Sequence, residues 1–569
     1  MGLLFKQVKS AGRGMYLYYP DAERHNPYLT SMITVIRGDD SEASVKNLLS
    51  QGLESLSEEK RIVLAFPNPG KRGWNSRFEV DAEDDTEVLD KLLSEAIKED
   101  DDPLKTNEIG IPLLSEMLRQ WHLMNSYRYV IGVGEGADMA LSYAATKPEC
   151  IAGLLTFGGE ISREALAKAK YGAVTAVLSG ASERAVSYFI KACGCTEVIP
   201  GERVETYLNP TNKASYVVKA PACSFSKEII YKVYEETFSR VRKINTGDVG
   251  DMDTITDLTG DEFKWAIDDE SLGEKHTWLM HIPDDLPEGK KVPMILFCHG
   301  GSDNPTEAAN MARLHELGKK EHFITVYPWG SNTASWAVGY GSDDKNDKSE
   351  DEIFLVKLID KMIAEYPVDP ERVYMSGFSN GAAIAQVIAM LYPEKIAGLM
   401  HIDSNWPGNR WKPVELDIND ITPMRRALEQ KKDWMRMPVW YTYGTREASC
   451  PVFKGCTQQY QYDFWKKFNN IKVEDTPPVG TDKPCESGVS GEKVEEIRPN
   501  GNKLEQFYTV NRFYTQDPEP ENYYNYCLMH DKGHEVAPLD ATLGWNYVKQ
   551  FKRNPDGTVG LVIADQKTK

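Results

Sequence analysis

Residues 366–391 read YPVDPERVYMSGFSNGAAIAQVIAML. The run RVYMSGF (372–378) is mostly apolar, as expected of a strand covered on both faces, and AAIAQVIAML reads as a helix. Between them lies Gly377-Phe378-Ser379-Asn380-Gly381, a G-x-S-x-G pentapeptide. Such a pentapeptide recurs by chance, but here it sits in a strand–turn–helix setting whose glycines admit a turn too tight for Cβ atoms. The setting lifts a serine hydroxyl above the edge of a sheet, so Ser379 is a candidate nucleophile rather than a plain turn serine.

Outward from this stretch the pattern repeats. From about residue 291 short β-rich runs alternate with helical segments: 292–299, 322–328, 372–378, 396–402, 437–443 and 522–530, with HTWLMHIP (276–283) as an antiparallel leading strand. That alternation predicts a parallel sheet flanked by helices. The first half has the same rhythm at 31–38, 61–67, 127–134, 151–159 and 172–180. GVGEGADMA (132–140) lies upstream of KPECIAGLL as GFSNGAAIA (377–385) lies upstream of YPEKIAGLM, with the same spacing and no gap. The chain therefore reads as a tandem duplication. The polar stretch 243–262 has linker composition and places the boundary near 250, giving units 1–250 and 251–569; a second polar stretch, 474–502, reads as a long loop.

A neutral hydroxyl attacks a carbonyl slowly, so a nucleophile needs a base, an acid to orient the base, and donors for the developing oxyanion. His299-Gly300-Gly301-Ser302 follows a strand and offers the Gly301 N–H as one donor; the Asn380 N–H is the other. His299 itself reads as a structural loop residue. The base must come late in the chain, and His534 in DKGHEV fits, Gly533 freeing the backbone to turn it over the sheet; His530 sits at a strand end. His530 and His534 also spell H-x-x-x-H, but a glycine inside argues against a zinc-binding helix. For the acid, Glu447 follows strand 437–443 and Asp403 follows strand 396–402, and either can reach the histidine. The first half offers none of this: Gly134 occupies the elbow position and no histidine occurs between His122 and His276, so it reads as a catalytically dead copy. Its GVGEG run lacks the spacing of a dinucleotide loop. Such a copy can shape the active-site entrance, drive formation of a homo-oligomer or stabilise its neighbour.

The residues HGGS, VYPWG with Trp336 downstream, YPVDPERVYMSGFSNGAAIA and MPVWYTYGTREASCP resemble the polyhydroxybutyrate depolymerase-like esterases, a group within the α/β-hydrolase superfamily that includes feruloyl and acetylxylan esterases. The likeness spans roughly 276–552. It implies an α/β-hydrolase fold for that half, which the duplication extends to an α/β chain of two tandem α/β-hydrolase-like domains; it also implies a triad of Ser379, Glu447 and His534, because the family segment H-G-T-x-D-x-x-V-P falls on residues 443–451. This chain departs from it in carrying Glu447 for Asp and Tyr443 for His, and in its long insertion before the last strand. The implied activity is hydrolysis of a carboxylic ester through an acyl-enzyme, without metal or organic cofactor; a serine peptidase of short peptides and a non-catalytic binding protein are the competing readings. Aromatics at Trp329, Trp336, Tyr340, Trp406 and Trp411 are expected near the mouth and hint at a feruloyl or sugar-bearing ester, core packing being their alternative.

The formal charge of −20, from 66 basic and 86 acidic residues, repels phosphate backbones and anionic membranes and excludes nucleic acid as a partner. No stretch is apolar for long enough to span a bilayer, the N-terminus has no signal-like core, and Lys6 breaks the myristoylation pattern after Gly2. Nine cysteines without a repeating framework suit a reducing compartment. The expectation is a cytoplasmic protein, with Cys193-Gly194-Cys195 unsupported as a metal site and Cys450 with Cys456 near enough to bridge under oxidising conditions.

Overall fold

The computed structural model describes residues 2–20, 31–97, 125–244, 246–301, 303–331, 336–338, 348–403, 422–446, 457–474, 489–498, 507–562. The chain divides into two compact units, Met1–Thr256 and Asp257–Lys569.

The first unit contains β1 (Gly2–Val8), β2 (Arg13–Tyr19), β3 (Met32–Ile36), β4 (Val63–Pro67), β5 (Arg128–Val133), β6 (Gly153–Phe157), β7 (Thr175–Ser179), β8 (Glu197–Pro200), β9 (Glu205–Leu208) and β10 (Tyr216–Ala220), then a hairpin of β11 (Val241–Ile244) and β12 (Asp251–Thr254). The second contains β13 (Phe263–Asp269), β14 (His276–His281), β15 (Val292–Cys298), β16 (Ile324–Pro328), β17 (Val368–Phe378), β18 (Gly398–Ile402), β19 (Val439–Gly444), β20 (Lys493–Ile497), β21 (Tyr508–Tyr514) and β22 (Asn522–Met529).

The spatial orders are β1-β2-β4-β3-β5-β6-β7-β10-β9-β8 and β13-β14-β16-β15-β17-β18-β19-β22-β21-β20, one permutation used twice. In the second sheet β16-β15-β17-β18-β19-β22 run parallel, while β14 and β13 on one side and β21 and β20 on the other run antiparallel. Both sheets are flanked by helices, as the α/β reading expects.

Both faces of the parallel strands are buried, mostly under apolar side chains, with Thr325, Ser376, His401, Thr442 and Asn525 as buried polar residues among them. On β15, Met294, Leu296 and Cys298 join one core cluster while Ile295 and Phe297 join the opposite one, the period of two placing alternate side chains on opposite faces. The helix Asn380–Leu391 is buried along nearly its whole length and stops at Tyr392, the residue before Pro393.

Three expectations need correction. The boundary near 250 cuts through the β11–β12 hairpin, whose polar residues alternate around the buried Met252, so the break falls at 256. The polar stretch 474–502 is not loop throughout: Lys493–Ile497 pairs with β21 as an edge strand whose Val494 is exposed. The antiparallel strands β1, β2, β8, β9, β13 and β21, and β10, which runs parallel to β7, have no counterpart among the strands expected from the sequence, because strands at or near a sheet edge carry mixed polar residues. Among the described residues no helix is long and apolar enough to cross a membrane.

Candidate active site

Ser379 sits between β17 and the helix Asn380–Leu391 with φ 51° and ψ −119°, a strained conformation for a residue with a side chain. Its N–H donates to the Ile402 carbonyl at 3.0 Å. The flanking glycines are dictated by contact: a Cβ on Gly377 would lie 2.5 Å from the Gly381 carbonyl oxygen, and one on Gly381 would lie 2.1 Å from that of His299 and 2.2 Å from that of Cys298. The elbow is thus pressed against the loop that follows β15.

That loop is clamped. The Trp336 indole N–H donates to the His299 carbonyl at 2.8 Å, and its backbone N–H donates to Asn380 Oδ1 at 2.6 Å. His299 is fully buried; Nε2 accepts from the Gly330 N–H at 3.1 Å, which leaves the proton on Nδ1, 2.7 Å from the Gly300 carbonyl oxygen. It is a loop brace, as its sequence position suggested. The Gly300 N–H donates to Asp303 Oδ2 at 3.0 Å, and burial, reinforced by the charges of Glu307 and Glu535, raises the Asp303 carboxyl far above the usual carboxylate range. Gly301 is the exposed residue of the turn, and the Asn380 N–H opens a helix, where no intrahelical acceptor exists.

His534 lies in the segment after β22, with Nε2 2.9 Å from Ser379 Oγ and its ring 4.7 Å from that of Phe378. The two side chains, 155 residues apart in sequence, meet within hydrogen-bond reach. His530 turns away: Nε2 lies 2.8 Å from Thr509 Oγ1, its ring stacks on Phe507, and burial lowers its pKa. Among the described residues no group of His, Cys, Asp and Glu could hold a metal ion.

Asp403 is fully buried at φ 46°. Its described partners are the Gly444 N–H at 2.9 Å, the Glu535 N–H at 3.3 Å and the Lys532 ammonium at 2.8 Å. These contacts tie the strand ends to the segment bearing His534. Glu447 lies outside the described residues, as do Tyr340, Trp406, Trp411, Cys450 and Cys456. Trp329 and Trp336 are 2% and 3% exposed and belong to the interior, so they do not line a mouth; the clamping role of Trp336 was missed because a sequence does not show which backbone carbonyl needs a donor.

The first unit has the same turn without the hydroxyl. Gly134 has φ 56°, and a Cβ there would meet nothing within 4 Å, whereas one on Gly136 would lie 2.2 Å from the Ile36 carbonyl oxygen. The clamp persists as well: the Trp74 indole N–H donates to the Arg37 carbonyl at 2.5 Å. The buried Arg37 guanidinium, in the position of His299, donates to the Pro67 carbonyl at 2.9 Å and Asn68 Oδ1 at 2.7 Å.

Residues 280–408 match the family model described as Esterase PHB depolymerase, in agreement with the resemblance read from the motifs. Among curated relatives, poly(3-hydroxyalkanoate) depolymerase C of Paucimonas lemoignei is 28% identical over 121 residues, covering 21% of this chain and 28% of that protein. Feruloyl esterase B of Neurospora crassa is 29% identical over 115 residues, 20% of this chain and 39% of that protein. The chain thus spans well under half the length of these relatives. A solved acetyl xylan esterase from Aspergillus awamori aligns with 50% of this chain and 98% of its own at 14% identity, with a TM-score of 0.36.

Proposed function

We propose that the second unit is a serine carboxylesterase and that Ser379, His534 and Glu447 form its triad. The observation that carries this reading is the 2.9 Å approach of His534 Nε2 to Ser379 Oγ, made at a serine held at φ 51°. His534 takes the hydroxyl proton as Oγ attacks the ester carbonyl. The oxyanion that forms is met by the N–H groups of Gly301 and Asn380. As the intermediate collapses, His534 returns the proton to the departing alcohol, and water, activated by the same imidazole, releases the acid. Glu447 holds the imidazolium. The family match and the names of the relatives support an ester of feruloyl, acetyl or hydroxyalkanoate type.

The first unit, with Gly134 at the elbow, is proposed as non-catalytic. A panel of acetyl, butyryl and feruloyl p-nitrophenyl esters, run beside aminoacyl p-nitroanilides, tests the assignment. Release of p-nitrophenol that is lost in Ser379→Ala, with no anilide cleavage, is the expected result. Anilide cleavage alone replaces esterase by peptidase, and activity that survives in Ser379→Ala refutes the site.

A further inference from the structure

Behind the histidine lies a charge cluster that the mechanism does not use. The Lys532 ammonium, fully buried, is 2.8 Å from Asp403 Oδ2 and 2.8 Å from Asp540 Oδ2, and both carboxylates are equally buried. Burial alone would lower the lysine pKa, but the two carboxylates overcome it and hold the ammonium above the ordinary lysine range. Each carboxylate has further donors. Asp540 accepts from the Tyr508 hydroxyl at 2.9 Å and from the Ala537 N–H at 2.9 Å, while Asp403 accepts from the N–H groups of Gly444 and Glu535. The backbone of the same segment is fastened to the turn after β19: the Lys532 carbonyl accepts from the Arg446 N–H at 2.8 Å, and the Asp531 N–H donates to Thr445 Oγ1 at 2.9 Å. Gly444 is obligatory there, since a Cβ would lie 2.5 Å from the Lys532 carbonyl oxygen.

Taking three charges out of water is expensive, and well-packed apolar side chains in such a place are often as stable or more so. What the cluster provides that apolar packing does not is direction. It joins the end of β18, the turn after β19 and both flanks of His534 to one cation.

Resting on the serine-esterase reading above, we propose that Lys532 is a positioning residue: by bridging Asp403 and Asp540 it fixes the 531–537 segment so that the His534 imidazole stands at Ser379. The residue touches no reacting atom and acts through the histidine.

Lys532→Met removes the ammonium and keeps most of the stem. Thermal unfolding is measured first, then kinetics on p-nitrophenyl acetate and the second-order rate of fluorophosphonate labelling, each well below the unfolding transition. The expected result is a loss of about 10–100-fold in kcat and in labelling rate, the range seen when a group orienting a functional side chain is removed, with KM changed less than about twofold. A folded variant that is merely less stable, with unchanged kcat, overturns the proposal. Should Lys532→Met fail to fold, Asp540→Asn and Tyr508→Phe both weaken the Asp540 arm of the cluster, the second more mildly; a kcat-selective loss supports the role, and unchanged kcat in both overturns it. Failure of the underlying reading is distinguishable, because the parent protein would then go unlabelled, or Ser379→Ala would label equally, and the proposal would fall with it.

Discussion

Replacing Gly381 by alanine puts a methyl group 2.1 Å from the His299 carbonyl oxygen and 2.2 Å from the Cys298 carbonyl oxygen. Carbon–oxygen contacts in proteins settle at roughly 3.3 Å or more, so the elbow and the 299–301 loop must part by about 1 Å. Neither side yields by rotating a side chain. The loop is held by Trp336 and Gly330, and the elbow by the Ser379 N–H to Ile402 bond, so the displacement moves Ser379 relative to the oxyanion loop. A misplacement of about 1 Å costs on the order of 10²-fold in rate. The overpacking costs about 1–3 kcal/mol of stability, at about 2–4 °C of Tm per kcal/mol for a domain of this class. The assay is the fluorophosphonate labelling rate together with calorimetric melting, with Gly260→Ala as control, since a Cβ there meets nothing within 4 Å. Parental labelling and melting in Gly381→Ala would refute the claim that the two backbones are in enforced contact.

Trp336→Phe removes the indole donor and leaves the His299 carbonyl short of it, at a cost of about 1–3 kcal/mol; labelling should slow by about tenfold if 1.4 kcal/mol of that reaches the transition state, and an unchanged rate would show the clamp to be irrelevant to catalysis. Burial holds His315 at about 3, below its ordinary 6.5. Between those values the unfolded chain binds the extra proton, so stability is intact above pH 6.5 and falls on acidification by about 1.4 kcal/mol per pH unit for this group. Urea melting at pH 7 and pH 5 should show a smaller difference in His315→Asn than in the parent, and an equal difference contradicts the assignment. Gly134→Ser has room for its side chain, and in the Ser379→Ala background it should remain unlabelled; any labelling at residue 134 would contradict a non-catalytic first unit.

The elbow was legible because its demands are local: a strand, two glycines forced by contact, and a helix leave a pattern within the 366–391 stretch. The duplication was legible for the same reason, since Gly132-Val133-Gly134-Glu135-Gly136 keeps the glycines after losing the serine. The edge strands were not, because β20 and β8 face water and carry no continuous apolar run. Nor was the part played by Lys532 or Trp336. A lysine in DKGHEV looks like any solvated charge, and only folding brings Asp403, 129 positions earlier, and Asp540 to it. For Trp336 the sequence leaves mouth and core packing open, and the fold places it inside, its indole donating to the His299 carbonyl.

The most direct measurement is intact-protein mass spectrometry after exposure to a fluorophosphonate, followed by peptide mapping. One adduct per chain, carried on the peptide containing Ser379 and absent from both Ser379→Ala and His534→Ala, is the result this account requires. A parent protein that gains no mass, or an adduct mapped to another residue, would contradict it.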